Sequence, residues 1–272
     1  MGADHIQESL RDEVLCRSVF YGAVSLALHP PSPESLKSLQ SGDTRLALLD
    51  AAVLLMARAP TEDGSGEATT PDESAVDLIA RVGAWLRTFD SLTLEAWRAA
   101  YARLFGHTAR GLVCPYEAEY GQEGLFEQPR QLAKIMGFYH AFGLTTRDAE
   151  RERVDHLSCE LEFLDFLSRK EAVALESNDA VLRSETQKAT RLFLRDHVGR
   201  FGFAFARLLR ENAPTEFWGR LGDLLFDFLT LECRRLGLPP GMQLLSLRTA
   251  EEDAVPMACG EPSDLIQLKI PG

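Results

Sequence analysis

Two short stretches hold most of the side chains able to do chemistry. The first is RVDHLSCELEFLDFL, Arg153 to Leu167. Asp155 stands where a helix N-cap would, and apolar residues follow at helical spacing. At about 100° per residue, Leu157, Phe163, Leu164 and Leu167 fall within about 60° of Glu160, and His156 about 40° away. A carboxylate thus occupies the middle of the apolar stripe. Ser158, Glu162, Asp165 and Arg169 take the opposite face. The second stretch is CPYEAEYG, where Tyr116, Glu117, Glu119 and Tyr120 set aromatic rings beside carboxylates. That mixture suits arginine, whose planar fork makes paired hydrogen bonds to a carboxylate and stacks on an aromatic face.

Each feature also has a purely structural reading. Glu160 would then pair with His156 one turn earlier, or with an arginine from a neighbouring helix. Asp155 would be a cap and nothing more, a role worth about 1 kcal/mol. The CPYEAEYG loop would be pinned to the protein by its tyrosines. Cys114 reads as a small buried residue, not a reactive thiol. In YARLFG, Tyr101, Leu104 and Phe105 are expected to face the core.

The elements that must position these residues are helical. Helical spacing predicts segments at Ser9–Leu28, from Pro33, from a cap at Asp43 to Arg58, and from Glu73 to Arg87. Thr93 caps the next. Pro129 suits the first turn of a helix running to Gly143. Further helices are expected at 155–176, 178–198, 201–212 and 215–236, the last stopped by GLPPG. The expected fold class is all-α, a single bundle of about nine or ten helices. Residues 1–240 form that domain, and 241–272 a mostly irregular tail in which only QLLSLRT hints at β alternation. PTEDGSGEATTPDES is acidic and nearly free of large apolar groups, so 60–74 reads as a flexible linker. His107 to Glu127 reads as a long ordered loop, of the kind that often carries function.

The net charge of −12 on 272 residues disfavours nucleic acid or an anionic membrane as the main partner, and favours a basic peptide. Five scattered cysteines with no CxxC suggest reduced thiols in a cytoplasm. The polar, acidic MGADHIQESLRDE lacks the pattern of a secretory signal. RLALLDAAVLLMARA is too short to span a bilayer, so no stable membrane insertion is expected. There is no phosphate loop, GxSxG or HExxH. His156 and Cys159 share a helix side but lack further ligands at metal spacing. Neither an enzyme, a metal nor a cofactor is expected.

YARLFG, CPYEAEYG, FEQPRQLAKIMGFYHAFGL and ERVDHLSCELEFLDFLSRKEA occur in that order. Together they resemble the TorD/DmsD/NarJ family of molybdoenzyme maturation chaperones, most clearly between Tyr101 and Ala172. The subgroup most similar serves ethylbenzene dehydrogenase, dimethyl-sulfide dehydrogenase, and chlorate or selenate reductase. The resemblance implies a non-catalytic, cytoplasmic, all-helical protein, either a monomer or a domain-swapped dimer. Its partner would be an apo-molybdoenzyme catalytic subunit, bound through the twin-arginine signal peptide while cofactor is inserted and before Tat export. The family's Asp-His pair, implicated in leader binding, matches Asp155 and His156.

The candidate peptide-binding residues are thus Asp155, His156, Glu160, Tyr116, Glu117, Glu119 and Tyr120. A leader presents two guanidinium groups and an apolar segment, which call for carboxylates and an apolar groove. If the arc around Glu160 is partly open, its carboxylate waits for a client cation. The alternative is a general helical scaffold or assembly adaptor with no leader specificity.

Overall fold

The computed structural model describes residues 2–58, 76–106, 111–121, 128–145 and 153–248, with side chains from residue 6. The expected linker at 60–74 and the tail beyond 248 lie outside the described residues. The chain opens with α1, Gly2–Leu28. Ser32 and Ser35 then form a capping box at the start of α2, Pro33–Gln40, with proline in the first turn. α3 spans Gly42–Ala57 and is capped by Ser41, which accepts from the Thr44 N–H. The expected cap, Asp43, lies in the first turn instead, where its charge still favours the positive helix end. α4, Leu78–Thr88, is capped by Asp77, and α5, Leu94–Phe105, by Thr93.

α6 covers Gln128–Ala141 and α7 covers Leu157–Glu176. α8, Ala180–Phe193, passes through a π-helical turn at Leu194–Val198 into α9, Gly199–Asn212. The break expected between Val198 and Phe201 is therefore absent: Val198 and Gly199 keep right-handed helical angles. α10, Phe217–Leu236, ends at Gly237, whose φ of 60° suits glycine. Leu238 N–H closes that end on Cys233 O at 2.8 Å, and Pro239 and Pro240 cannot continue it.

The architecture is an all-α bundle whose contacts close into a circuit. α1 lies along α7, α7 meets α8, α9 meets α10, α10 meets α4, α4 meets α3, and α3 returns to α1. α9 and α10 approach closely because Gly222 has no side chain: a Cβ there would stand 2.6 Å from Ala206 O. One apolar core spans residues from α1 to Leu238. At one end Phe217 packs on Trp85, Phe89, Trp97 and Trp218. At the other, Phe163 packs on Tyr139, Phe142 and Phe193. Leu104 and Phe105 are buried as expected, with Tyr101 half-buried beside Phe105.

A buried charge knot ties α1 to α10. Glu232 accepts from Tyr21 Oη at 2.7 Å, Arg17 Nε at 3.1 Å, and both arms of Arg235 at 2.9 and 2.7 Å. Burial alone would raise this carboxyl, but the charges of Arg235 and Arg17 and the hydrogen bonds hold it at about 2.

α7 is buried on both sides, which the amphipathic pattern does not predict. Ser158 was expected on the outer face and is fully buried, because α1 covers that side: Ser25 Oγ donates to Ser158 O at 3.0 Å. Serine is small enough to sit under another helix, so its polarity misleads. Glu162 does reach solvent and lies 3.0 Å from His29 Nε2.

Candidate functional site

The two stretches singled out in the sequence meet. Pro115 O accepts from Leu157 N–H at 2.8 Å, and Asp155 O accepts from Glu117 N–H at 2.9 Å. These bonds form an antiparallel bridge between Tyr116 and His156. The loop continues as a short 3₁₀ turn, Glu117–Glu119. A second bridge joins Tyr120 to Leu247, with Arg248 N–H donating to Glu119 O at 2.8 Å. The QLLSLRT segment therefore pairs with the loop, as an isolated bridge and not as a strand. Tyr120 is fully buried and its hydroxyl donates to Cys114 O at 2.7 Å. Burial pushes the Cys114 thiol up to about 12, so it stays protonated.

Asp155 is not the N-cap of α7. His156 is, its Nδ1 accepting from Ser158 N–H at 3.1 Å. The Asp155 carboxylate turns the other way, because the loop offers it a donor: Ala118 N–H at 3.0 Å. Arg153 then clamps it from both arms, Nε to Oδ1 at 3.0 Å and Nη2 to Oδ2 at 2.8 Å. The remaining nitrogen of that guanidinium, Nη1, reaches Glu119 at 3.0 Å, and its carbon lies 4.5 Å from the Tyr116 ring centroid. Burial pushes the Asp155 carboxyl up, while the Arg153 charge and the Ala118 N–H pull against that rise. His156 is also buried, and burial, with the charges of His29 and Arg153, lowers it to about 3. It is a neutral ring, set edge-on to Tyr116 at 5.2 Å.

Glu117 and Glu160 form the inner half of the cluster. Glu117 lies 2.8 Å from His197 Nδ1 and accepts from Arg200 Nε at 3.1 Å. Glu160 has no solvent exposure, and neither of its oxygens stands in hydrogen-bonding geometry. Burial, then the nearby charges of Glu117 and Asp155, push it well above the usual carboxylate range. Burial thus favours the protonated form, whose O–H can turn toward the Glu117 carboxylate. The groove expected around Glu160 is closed, since Leu157, Phe163, Leu164 and Leu167 are all buried in the core. Neither structural alternative describes it: His156 is committed to Ser158, and Arg200 pairs with Glu117.

All seven predicted residues thus gather in one place, but only Tyr116 among them is half-exposed; the others are buried. Sequence reasoning missed Arg153, His197 and Arg200. Arg153 had a signal, an arginine two residues before the acid. The turn closed by His156 N–H on Arg153 O, at 3.0 Å, folds it back over Asp155. His197 comes from the π-helical turn, which no sequence pattern marks. Glu117, Lys134, Phe138, Asp196, His197 and Arg200 also line a cavity of about 550 Å3 between α6 and that turn. Among the described residues, no three His, Cys, Asp or Glu side chains gather as a metal-holding group, and no helix is long and apolar enough to cross a membrane.

The fold and site define an all-helical bundle that carries a buried loop-to-helix cluster of carboxylates, tyrosines and arginines. The nitrate reductase delta subunit family model matches residues 71–207, half of the chain, and the chain belongs to that family. It is 35% identical over 114 residues to the perchlorate reductase assembly chaperone protein of Dechloromonas aromatica (strain RCB), covering 42% of this chain and 49% of that one. It is 29% identical over 157 residues to the selenate reductase assembly chaperone protein of Thauera selenatis, covering 53% and 77%. It is 31% identical over 123 residues to the chlorate reductase assembly chaperone protein of Ideonella dechloratans, covering 45% and 58%. The chain thus spans about half the length of the perchlorate relative. These relatives are named as chaperones, not catalysts, and fall in the subgroup that the motifs resemble.

Proposed function

We propose that the protein is a cytoplasmic assembly chaperone for a molybdoenzyme, and that it binds the twin-arginine leader of the apo-catalytic subunit until cofactor is inserted and Tat export begins. One observation carries the leader reading. Asp155, Glu119 and Tyr116 surround a guanidinium with three charge-assisted hydrogen bonds and a ring face. This is the chemistry that a leader arginine needs. Glu117, His156 and Tyr120 hold the loop and the start of α7 in register around it, as support and not as contacts, and Glu160 lies buried behind them. The net charge of −12 steers a basic peptide inward.

Burial of six of the seven residues favours a second reading, an assembly adaptor in which the cluster is only a structural knot. Calorimetric titration separates the two. A leader peptide should bind, and a peptide with both arginines changed to glutamine should lose on the order of tenfold or more in affinity. Equal affinity for both peptides refutes leader recognition and leaves the adaptor.

A further inference from the structure

The Tyr116–Glu119–Asp155 cage is already full. Its occupant, Arg153, belongs to the same chain and stands two residues from the acid it clamps. Asp155 has no solvent exposure and Glu119 very little, and pulling Arg153 away with nothing in its place strips the buried Asp155 carboxylate of the guanidinium that clamps it, which is costly. The folded protein alone therefore needs a resident guanidinium. The Arg153 side chain, though, is 36% exposed and lies at the open edge beside half-buried Tyr116. Swinging it out returns a charge to water. Replacing it with another guanidinium leaves the charge inside the cage unchanged. Exchange of like for like thus avoids the penalty that simple opening would bring.

Resting on the leader reading above, we propose that Arg153 is an internal stand-in for a client arginine, and that the cage is an exchangeable guanidinium site from which an incoming arginine displaces it. The other arginine of the cluster cannot play this part. Arg200 is fixed to Glu117 through both its side-chain carboxylate and its backbone carbonyl, and it arrives from α9, 83 residues away in sequence.

A resident occupant lowers apparent affinity by the fraction of time the site is free. If Arg153 fills the cage in about nine-tenths of molecules, removing its fork should tighten leader binding by about tenfold. Two variants test this. Arg153→Lys keeps the charge and loses the paired hydrogen bonds, so it should fold and bind leader peptide more tightly than the wild type. Arg153→Ala empties the cage. Its melting temperature should rise with added N-acetyl-arginine amide, and much less with N-acetyl-lysine amide at the same ionic strength. Leader binding that is unchanged or weakened in Arg153→Lys overturns the stand-in role. If Arg153→Ala does not fold, the lysine variant decides. The two ideas fail separately. Rescue by arginine amide with no leader binding by any variant upholds the exchangeable cage and sinks the leader reading. Tight leader binding by the wild type, with neither rescue nor tightening, does the reverse.

Discussion

Replacing Glu160 with glutamine should make the protein less sensitive to rising pH. The reasoning starts from burial: Glu160 is sealed in the core, away from solvent, and pushed well above its ordinary value of 4.5 by burial and by Glu117 and Asp155. Above pH 4.5 the unfolded chain releases this proton while the folded chain keeps it. The folded state then binds more protons, so stability falls as pH rises, until the raised folded value is passed. The limiting slope for one proton is about 1.4 kcal/mol per pH unit. For a chain of this size, that moves the melting temperature by about 3–6 °C per unit. Glutamine matches the neutral acid in shape, and its NH₂ can donate where the acid's O–H did.

The assay is a set of urea or thermal unfolding curves for wild type and Glu160→Gln at pH 5, 6 and 7. Glu117, Asp155, Arg200 and His197 surround the site in both proteins, so the difference between the two chains isolates the Glu160 proton. That difference should grow in the variant's favour with pH at about the slope given, while leader binding stays unchanged. Glu162→Gln, at an exposed residue beside His29, should change neither. A difference that is flat from pH 5 to 7 would show that Glu160 is ionised in the fold, held so by Arg200, and the reasoning would be refuted.

Three further outcomes are expected. Asp155→Asn can still accept from Ala118 N–H but breaks the paired bonds to Arg153; it should lose about 1–3 kcal/mol in urea unfolding and bind leader peptide more weakly. Glu232→Gln should lower the melting temperature at pH 7 and leave leader binding intact. Because the Glu232 carboxyl is held at about 2 against 4.5 unfolded, its contribution of about 3 kcal/mol is present above pH 4.5 and lost as pH falls through about 2, so acid unfolding should be blunted in the variant. His156, lowered to about 3 from 6.5, should show no imidazole titration by NMR between pH 5 and 8. Because only the unfolded chain protonates there, stability drains as pH falls below 6.5, and His156→Ala should remove that component.

The helical content was legible because local signals agree with the packing. Thr93 is both a good cap and the first polar residue before an apolar run, and it caps α5. The misplaced caps show where local signals stop. Asp43 and Asp155 are good caps by type, yet Ser41 and His156 take the role. Which side chain bonds the free N–H groups depends on the direction of entry of the chain, and Asp155 has a better donor in a loop 37 residues away. Periodicity also marked Glu160 as anomalous, correctly. It gave no means of telling an open groove from a sealed pocket, because closure comes from helices distant in sequence.

The arrangement of charges explains why one arginine and not another can be mobile. Four carboxyls, those of Glu117, Glu119, Asp155 and Glu160, meet in a space with little access to water. They cannot all be ionised without compensation, and each part is neutralised in a different way. Burial and the neighbouring carboxylates favour the protonated form of Glu160. Glu117 is held by Arg200 beside His197, which sits in a π-helical turn packed against Phe138 and Phe193. Both of those partners are set by the bundle itself, so moving them would disturb the core. Asp155 is clamped by both arms of Arg153, whose third nitrogen also reaches Glu119, through a short turn at the surface. The fold therefore fixes the inner charges rigidly. It leaves Asp155 to an arginine that can leave without unpacking a helix.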